Sequence, residues 1–333
     1  MSTKENKNAM QVELFQLIQK EVSSHVPLAQ RIAKVLGTGL DSAYRRIRGD
    51  YEISFKEAVK LCKHYGISLD ELMYGIGKMQ YAIVPNGLKG LESNLTFAQE
   101  LLEITENIKR NSGEIILTAA DLPVFHFIAH KELIFFQLFS WYKNMYEFTG
   151  TYEDFIKELG WEEIAAFLKE IHKNYTLIPS TEIWTANTMD SILKLLRYHI
   201  EMRHFNDSTI PSLICEQLFD VLGTMEKWIK NGIKESESAI YKFYINEIDI
   251  GNTFIFIKNE GKGSCIFRLF TINGLNIKDR LFCDAVDLWL ASLIKRSSLI
   301  SGVSTKERFL FLTGQKQKIL DFTDTITTFQ GSS

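Results

Sequence analysis

The segment from Leu28 to Leu72 constrains the fold of this chain more than any other feature of its sequence. Leu28, Ile32 and Leu36 recur at helical spacing, so they would share one side of a short helix. Gly37-Thr38-Gly39 interrupts that pattern, because glycine readily adopts the positive φ that ends many helices. The segment therefore predicts a bundle of short helices around a tight turn.

A second short helix is predicted to follow the turn and to run to Arg48, with Asp41 or Ser42 as its N-cap. A third helix is predicted from Ser54, where Glu57 three residues later completes a capping box. Gly66 ends it, and the residues 68–73 open a further helical turn. The inward face of the second helix is predicted to consist of Leu40, Ala43, Tyr44 and Ile47, and the opposite face of Ser42, Arg45 and Arg46.

Positive charge is concentrated in the same segment. Between Arg31 and Lys63 there are eight basic and four acidic residues, which leave a net charge of +4, whereas the whole chain carries −3. Three of the basic residues are the arginines of the predicted second helix. Such a local excess is the electrostatic footprint expected of a nucleic-acid-binding domain.

Several short phrases of this segment follow a known pattern. They are Leu28-Ala29, Ile32-Ala33, Leu36-Gly37, Arg48-Gly49, Ser54, the run Leu61–Tyr65 and the closing phrase Gly66-Ile67-Ser68-Leu69-Asp70-Glu71-Leu72. With them the segment resembles the Cro/C1-type helix-turn-helix domain of phage repressors and Xre-like bacterial regulators. The resemblance implies a λ-repressor-like helical bundle that binds double-stranded DNA. The family's β-branched or aromatic position in the second helix is divided here between Ala43 and Tyr44, which leaves two placements of that helix, one residue apart.

These features predict a sequence-specific transcriptional regulator in which Ser42, Arg45 and Arg46 contact bases. The predicted phosphate contacts are Gln30, Thr38, Arg48 and Lys56. Because a single helix-turn-helix buries little surface, we expect a homodimer on paired half-sites. An unidentified small-molecule or peptide effector is a further expected partner. The alternative is a helical signal or peptide receptor whose helix-turn-helix docks a protein.

Length and composition leave room for further domains. The chain has 333 residues, 45% of them hydrophobic, with five prolines, which suits two or three core-forming domains. Neither a leader peptide nor an apolar run of membrane-spanning length is recognisable, so we expect a cytoplasmic protein without a membrane partner. The four cysteines show no CxxC pairing and are expected to be buried free thiols.

The predicted fold class is mainly α with a C-terminal α+β part. A helix-turn-helix domain is predicted at residues 1–75, a linker at 76–90, and a dimerisation or sensor region at 91–333, with a sub-boundary near 232–238 as an alternative. A central helical region is predicted, with helices over about 91–109, 126–148, 152–173, 181–203 and 208–231 and one short strand at 114–118. A three-stranded antiparallel meander over about 239–250, 253–258 and 264–271 follows, flanked by helices over about 277–296 and 304–322.

Three phrases of that long region are similar to bacterial regulators that couple this helix-turn-helix to a C-terminal region without an agreed activity. They are Asp121-Leu122-Pro123, Ile178-Pro179-Ser180-Thr181-Glu182-Ile183-Trp184 and Arg296-Ser297-Ser298-Leu299-Ile300-Ser301. The similarity implies an architecture and no ligand.

Residues that could carry catalysis are sparse in the same region. His126 and His130, with Asp121 nearby, could chelate a metal, but their apolar surroundings favour packing or hydrogen bonding. Gly261-Lys262-Gly263 lacks the rest of a P-loop and fits a hairpin turn, and Ser180 fits a helix cap. We therefore predict that the protein is not an enzyme and has no catalytic residues, metal site or cofactor.

Overall fold

The computed structural model describes residues 9–21, 26–67, 79–82, 91–159, 161–259, 262–270 and 273–330. The chain divides into two compact units, Met1–Lys78 with Asp279–Leu281 and Met79–Lys278 with Phe282–Ser333. The helical turn predicted at 68–73 lies outside the described residues, as does most of the predicted linker at 76–90. Within that linker, Met79–Ala82 is a strand.

The N-terminal unit contains four described helices: α1 (Ala9–Glu21), α2 (Leu28–Leu36), α3 (Leu40–Ile47) and α4 (Phe55–Tyr65). Helix α2 packs against α3 and α4, and α1 packs against α3. Their shared core consists of Leu14, Phe15, Ile18, Ala29, Ile32, Ala43, Leu61, Cys62 and Ile67. Helix α1 lies outside the segment on which the sequence prediction depended, yet it supplies three of these side chains.

The second unit is built on one mixed sheet of eight strands in the order β1-β7-β6-β5-β2-β3-β4-β8. The strands are β1 (Met79–Ala82), β2 (Glu114–Ala119), β3 (Ser180–Trp184), β4 (Tyr241–Ile245), β5 (Phe254–Asn259), β6 (Lys262–Phe270), β7 (Asn273–Ile277) and β8 (Ser298–Leu299). Strands β2, β3 and β4 are parallel, and every other pairing is antiparallel.

Helices connect these strands and cover both faces of the sheet. They are α5 (Leu91–Arg110), α6 (Val124–Phe127), α7 (Lys131–Met145), α8 (Tyr152–Glu158), α9 (Trp161–Leu177), α10 (Asp190–Glu201), α11 (Ile210–Asn231), α12 (Arg280–Lys295) and α13 (Thr305–Gln330). Side chains alternate along β2, because Ile115 and Leu117 enter the large core under most of these helices while Ile116 enters the core on the other face. The second core includes Cys283, Leu290 and Leu293 of α12.

The parallel centre of the sheet corrects two sequence predictions. The helix predicted over 181–203 is wrong at its start, since β3 occupies 180–184 and α10 begins at Asp190. The strand predicted within 239–250 does not pair with 253–258, since β4 pairs with β3 and β8. The reason is that β3 is buried along its whole length, so it lacks the alternation that marks a half-exposed strand.

Other predictions for this unit are confirmed. Strands β5 and β6 pair antiparallel with Asn259 opposite Lys262, which makes the segment a hairpin; the turn residues 260–261 lie outside the described residues. All four cysteines are free and buried.

Strands from both sides of residues 232–238 lie in one sheet, so the alternative sub-boundary does not separate two sheets.

Candidate nucleic-acid interface

The turn between α2 and α3 is short and is built on glycine. Gly37 lies in the left-handed region with φ 72°, and its N–H donates to the Ala33 carbonyl over 2.9 Å. Gly39 is extended and is the N-cap residue of α3. A residue with a side chain is strained at the φ of Gly37, so glycine there allows α3 to start with only three residues between it and the end of α2.

The inner face of α3 is centred on Ala43, which is fully buried in the core of the N-terminal unit. Leu40 and Tyr44, predicted to face inward, are 45% and 46% exposed, so that prediction is wrong. Of the two placements left open by the sequence, the structure adopts the one with Ala43 inward. This choice rotates the helix so that Arg46 also points toward the core.

Arg46 is only 8% exposed and makes its contacts within the unit. Its Nη2 lies 3.0 Å from Glu57 Oε1, and its guanidinium carbon lies 4.5 Å from the centre of the Tyr51 ring. Its Nη1 donates to both the hydroxyl and the carbonyl of Ser42. In this placement Arg46 does not lie on the exposed face predicted to contact bases, because its aliphatic stem packs inward and its charged group is paired with Glu57. The Ser42 hydroxyl is engaged by the same guanidinium.

Glu57 belongs to the capping box predicted at the start of α4. Its backbone N–H donates to the Ser54 hydroxyl, and its carboxylate accepts from the Ser54 N–H over 2.9 Å. Burial alone would raise the pKa of Glu57, but the Ser54 backbone bond and the contacts with Arg46 outweigh it and lower the pKa. The carboxylate thus joins the start of α4 to the middle of α3.

Gln11 of α1 fixes the segment that connects α3 with α4. Its side-chain amide donates to the carbonyls of Arg46 and Tyr51, each over 2.8 Å, and accepts from the Ile53 N–H over 2.9 Å. The sequence prediction missed this residue, because its partners lie more than thirty positions away along the chain. Gln11 positions α3 rather than forming part of its outer face.

The outer face of α3 carries two arginines. Arg45 is exposed and belongs to no described ion pair, and the exposed Arg48 lies 3.2 Å from Asp50, with both side chains more than half exposed. Such an exposed pair contributes little to stability and can open for another anion. Leu40 and Tyr44 extend the same face with apolar surface.

The predicted phosphate contacts fall into two groups. Gln30 near the start of α2 and Lys56 near the start of α4 are exposed, as is Arg48. The Thr38 hydroxyl, by contrast, is buried and makes no hydrogen bond to any described residue. Among the described residues, helix α2 has no side-chain cap and no acidic residue in its first turn, so its positive end favours a nearby anion.

A second group of polar residues lies inside the other unit and was not predicted as a group. Glu182 of β3 is fully buried; its carboxylate lies 2.9 Å from His126 Nε2 and accepts from the Trp184 indole over 2.7 Å and from the Tyr175 hydroxyl. Burial opposes ionisation, but the charge and hydrogen bond of His126, with the other donors, lower the pKa of Glu182. His126 is thus a hydrogen-bonding histidine, as expected.

Lys234 lies beside Glu182 and its hydrogen-bond partners. Its Nζ lies 2.9 Å from the Ser180 hydroxyl and 3.6 Å from the centre of the Tyr175 ring, and burial lowers its pKa to about 7 although Glu182 opposes the shift. A lysine with a lowered pKa beside a serine is the arrangement of a Ser–Lys nucleophile pair. Ser180, however, is 3% exposed, so a substrate has no access to it, and the prediction that Ser180 caps a helix is wrong because it lies in β3. We interpret the cluster as the polar core that holds β3 against α6 and α9.

Among the described residues, no group of three or more histidine, cysteine, aspartate or glutamate side chains is placed to hold a metal ion. The described helices include none with the length and apolar character needed to cross a membrane. Comparison of the chain with protein-family models, with curated proteins and with solved structures finds no match in any of the three.

Proposed function

We propose that the N-terminal unit binds double-stranded DNA and that the protein is a sequence-specific transcriptional regulator. The observation that supports this most is the geometry of α3, a short helix held to α2 by a tight turn with Arg45 and Arg48 on its exposed side. An α-helix fits the major groove, and an arginine fork matches the acceptors of guanine. The net charge of +4 in this segment would attract the duplex.

The structure suggests a revised division of roles. Arg45 contacts bases, with Tyr44 beside it supplying apolar contact to a thymine methyl group. Arg48, Lys56 and Gln30 contact phosphates, and the uncapped N-terminus of α2 favours a phosphate nearby. Arg46 has a positioning role, since it fixes α3 through Glu57 and Ser42.

We propose that the protein acts as a homodimer. A single helix of this length reads few base pairs, and regulators of this kind gain affinity by binding two half-sites about one DNA turn apart. Exposed apolar side chains of α13, Phe309 and Leu310, are 66% and 58% exposed and are available for such pairing. Sedimentation of the full chain would give twice the monomer mass if this is right.

The experiment that tests DNA binding is selection of bound fragments from genomic DNA with the purified full chain. We expect a shared motif among the enriched fragments, and Arg45→Ala should weaken binding to that motif by about 1–3 kcal/mol and relax one base position. Arg110→Ala is the matched control, because Arg110 is an exposed arginine on α5 of the other unit. Equal loss on random DNA would show that Arg45 contacts only phosphate, and the absence of any enriched motif would contradict the proposal.

A second candidate function rests on the apolar part of the same face. Leu40 and Tyr44 are nearly half exposed and Phe55 is 78% exposed, which also suits docking of a protein partner. In that case fragment selection would enrich no motif and Arg45→Ala would leave DNA affinity unchanged. Phe55→Ala would then weaken the protein contact.

A further inference from the structure

The loop between β4 and β5 passes over the carboxyl ends of β2 and β3, the two strands that lie between β4 and β5 in the sheet. In the sheet, β3 and β2 lie between β4 and β5, so residues 246–253 must cross above both. The Asn246 N–H donates to the Trp184 carbonyl at the end of β3 over 2.8 Å. At the other end, the Thr253 hydroxyl accepts from the backbone N–H groups of Ala120 and Asp121, just beyond β2.

This crossing borders an open-sided cavity of about 260 Å³. Its polar lining residues are Asp121, Gln137, Ser191, Asn252 and Thr253. The rest of the lining is glycine and aliphatic, and includes Leu122 and Ile192. In open sheets with parallel strands, ligands bind in the crevice outside the carboxyl ends of the strands, which is where this cavity lies.

Gln137 of α7 is the observation that points to an occupant. The residue is 93% buried, because only 7% of its surface is exposed, yet its side-chain amide makes no hydrogen bond to any described residue. The amide atoms are open to the cavity, so they can hydrogen-bond to a molecule that enters it. A bound molecule with a hydroxyl or amine would do so.

The charged side chains on the cavity wall restrict which ligands can bind there. Asp121 is the one ionisable side chain on the cavity wall, and one oxygen of its carboxylate accepts a hydrogen bond from the Thr253 hydroxyl. No cationic or aromatic side chain is among the lining residues. An anion would therefore find no countercharge, and a sugar ring or an aromatic cation would find no stacking surface.

We propose that this cavity binds a small aliphatic amine, with its ammonium group at Asp121 and a second polar group at Gln137. The cavity volume corresponds to about eight to ten non-hydrogen atoms, given roughly 30 Å³ for each water-sized group. The site lies wholly within the second unit, so it does not depend on the proposed DNA binding.

The test uses three compounds that differ at one end only: protonated 4-amino-1-butanol, 1,4-butanediol and 4-hydroxybutyrate. Titration calorimetry of the full chain at neutral pH should show binding of the amine alone, with a Kd of about 1 mM for a probe of this size. Asp121→Asn and Gln137→Leu should each weaken that binding at least tenfold. Asp321→Asn and Gln317→Leu are matched controls, since these two residues form an exposed pair on α13 and should leave binding unchanged.

Each outcome of the titration with the three compounds either supports or overturns the proposal. If none of the three compounds binds, the cavity holds only water and the proposal is overturned. Equal binding of the diol or the carboxylate would overturn the ligand class, and full amine binding by both Asp121→Asn and Gln137→Leu would place the amine elsewhere. The comparison of the three compounds on the unaltered chain needs no variant, so it decides the ligand class even if a variant fails to fold.

Discussion

Removal of the Arg46 side chain tests whether the N-terminal unit is organised as described. The substitution Arg46→Ala deletes the ion pair with Glu57, the bonds to Ser42 and the ring contact with Tyr51. Because these contacts join α3 to α4 and to the loop between them, both helices should open more often. Arg45→Ala removes a neighbouring arginine that makes none of these contacts and is the natural control.

The loss of stability expected in Arg46→Ala depends on how far its contact partners are exposed to solvent. Breaking a fully buried ion pair costs about 3–5 kcal/mol, because the remaining charge is left buried. Here the Glu57 side chain is 24% exposed and keeps its bonds from Ser54, so the cost should fall just below that range, at about 2.5 kcal/mol. Adding about 0.5 kcal/mol for the exposed ring contact gives roughly 3 kcal/mol, or about a hundredfold change in the opening equilibrium.

Amide hydrogen exchange on the full chain measures this locally. Amides of α3 and α4 should exchange about a hundredfold faster in Arg46→Ala, whereas Arg45→Ala should change them by less than about threefold. The effect of Arg46→Ala should shrink at acid pH. The lowered pKa of Glu57 means that the ion pair stabilises the unit fully above the usual glutamate pKa and is lost as pH falls through the lowered value. Similar exchange in the two variants would refute the structural role of Arg46.

Two further predictions concern the polar core of the second unit. Glu182→Gln should lower the free energy of unfolding by about 3–5 kcal/mol in urea. Tyr175 and Trp184 donate to different carboxylate oxygens, and the amide NH2 group that replaces one of them cannot accept a hydrogen bond. Glu226→Gln, at an exposed ion pair, should lower it by less than about 1 kcal/mol, and equal losses would contradict the account. The stability of the unaltered chain relative to Lys234→Met should rise with pH between about 7 and 10, by at most about 1.4 kcal/mol per pH unit. The sign follows because the unfolded lysine keeps its proton in this range while the buried one releases it; a flat difference would show that Lys234 stays charged.

Local signals in the sequence predicted local structure well. The glycine turn, the capping box at Ser54 and Glu57, and the helix that ends at Gly66 all depend on residues within a few positions of one another. The net charge of the segment also needs no structure. The face of α3 was harder to place, because an arginine is expected outside, whereas Arg46 buries its stem and finds a carboxylate on α4.

Contacts between distant positions could not be predicted from local pattern. Strand β3 follows a proline and contains polar residues, a local pattern that predicts the start of a helix, yet every one of its side chains is buried. Glu182 is tolerated there because His126, Tyr175 and Trp184 satisfy it, and two of these come from other elements. The cavity beside Gln137 arises only when the loop at 246–253 crosses the sheet.

The most direct test of DNA binding is the dependence of the dissociation constant on salt, measured with an enriched genomic fragment. Each phosphate contact adds about 0.9 to the slope of log Kd against log salt. We predict a steep slope for the unaltered chain. Lys56→Ala should lower that slope by about 0.9 for each copy of the chain bound to the DNA. A flat salt dependence, or a slope that Lys56→Ala leaves unchanged while Arg45→Ala has no effect on affinity, would contradict the proposal that this face of the N-terminal unit binds DNA.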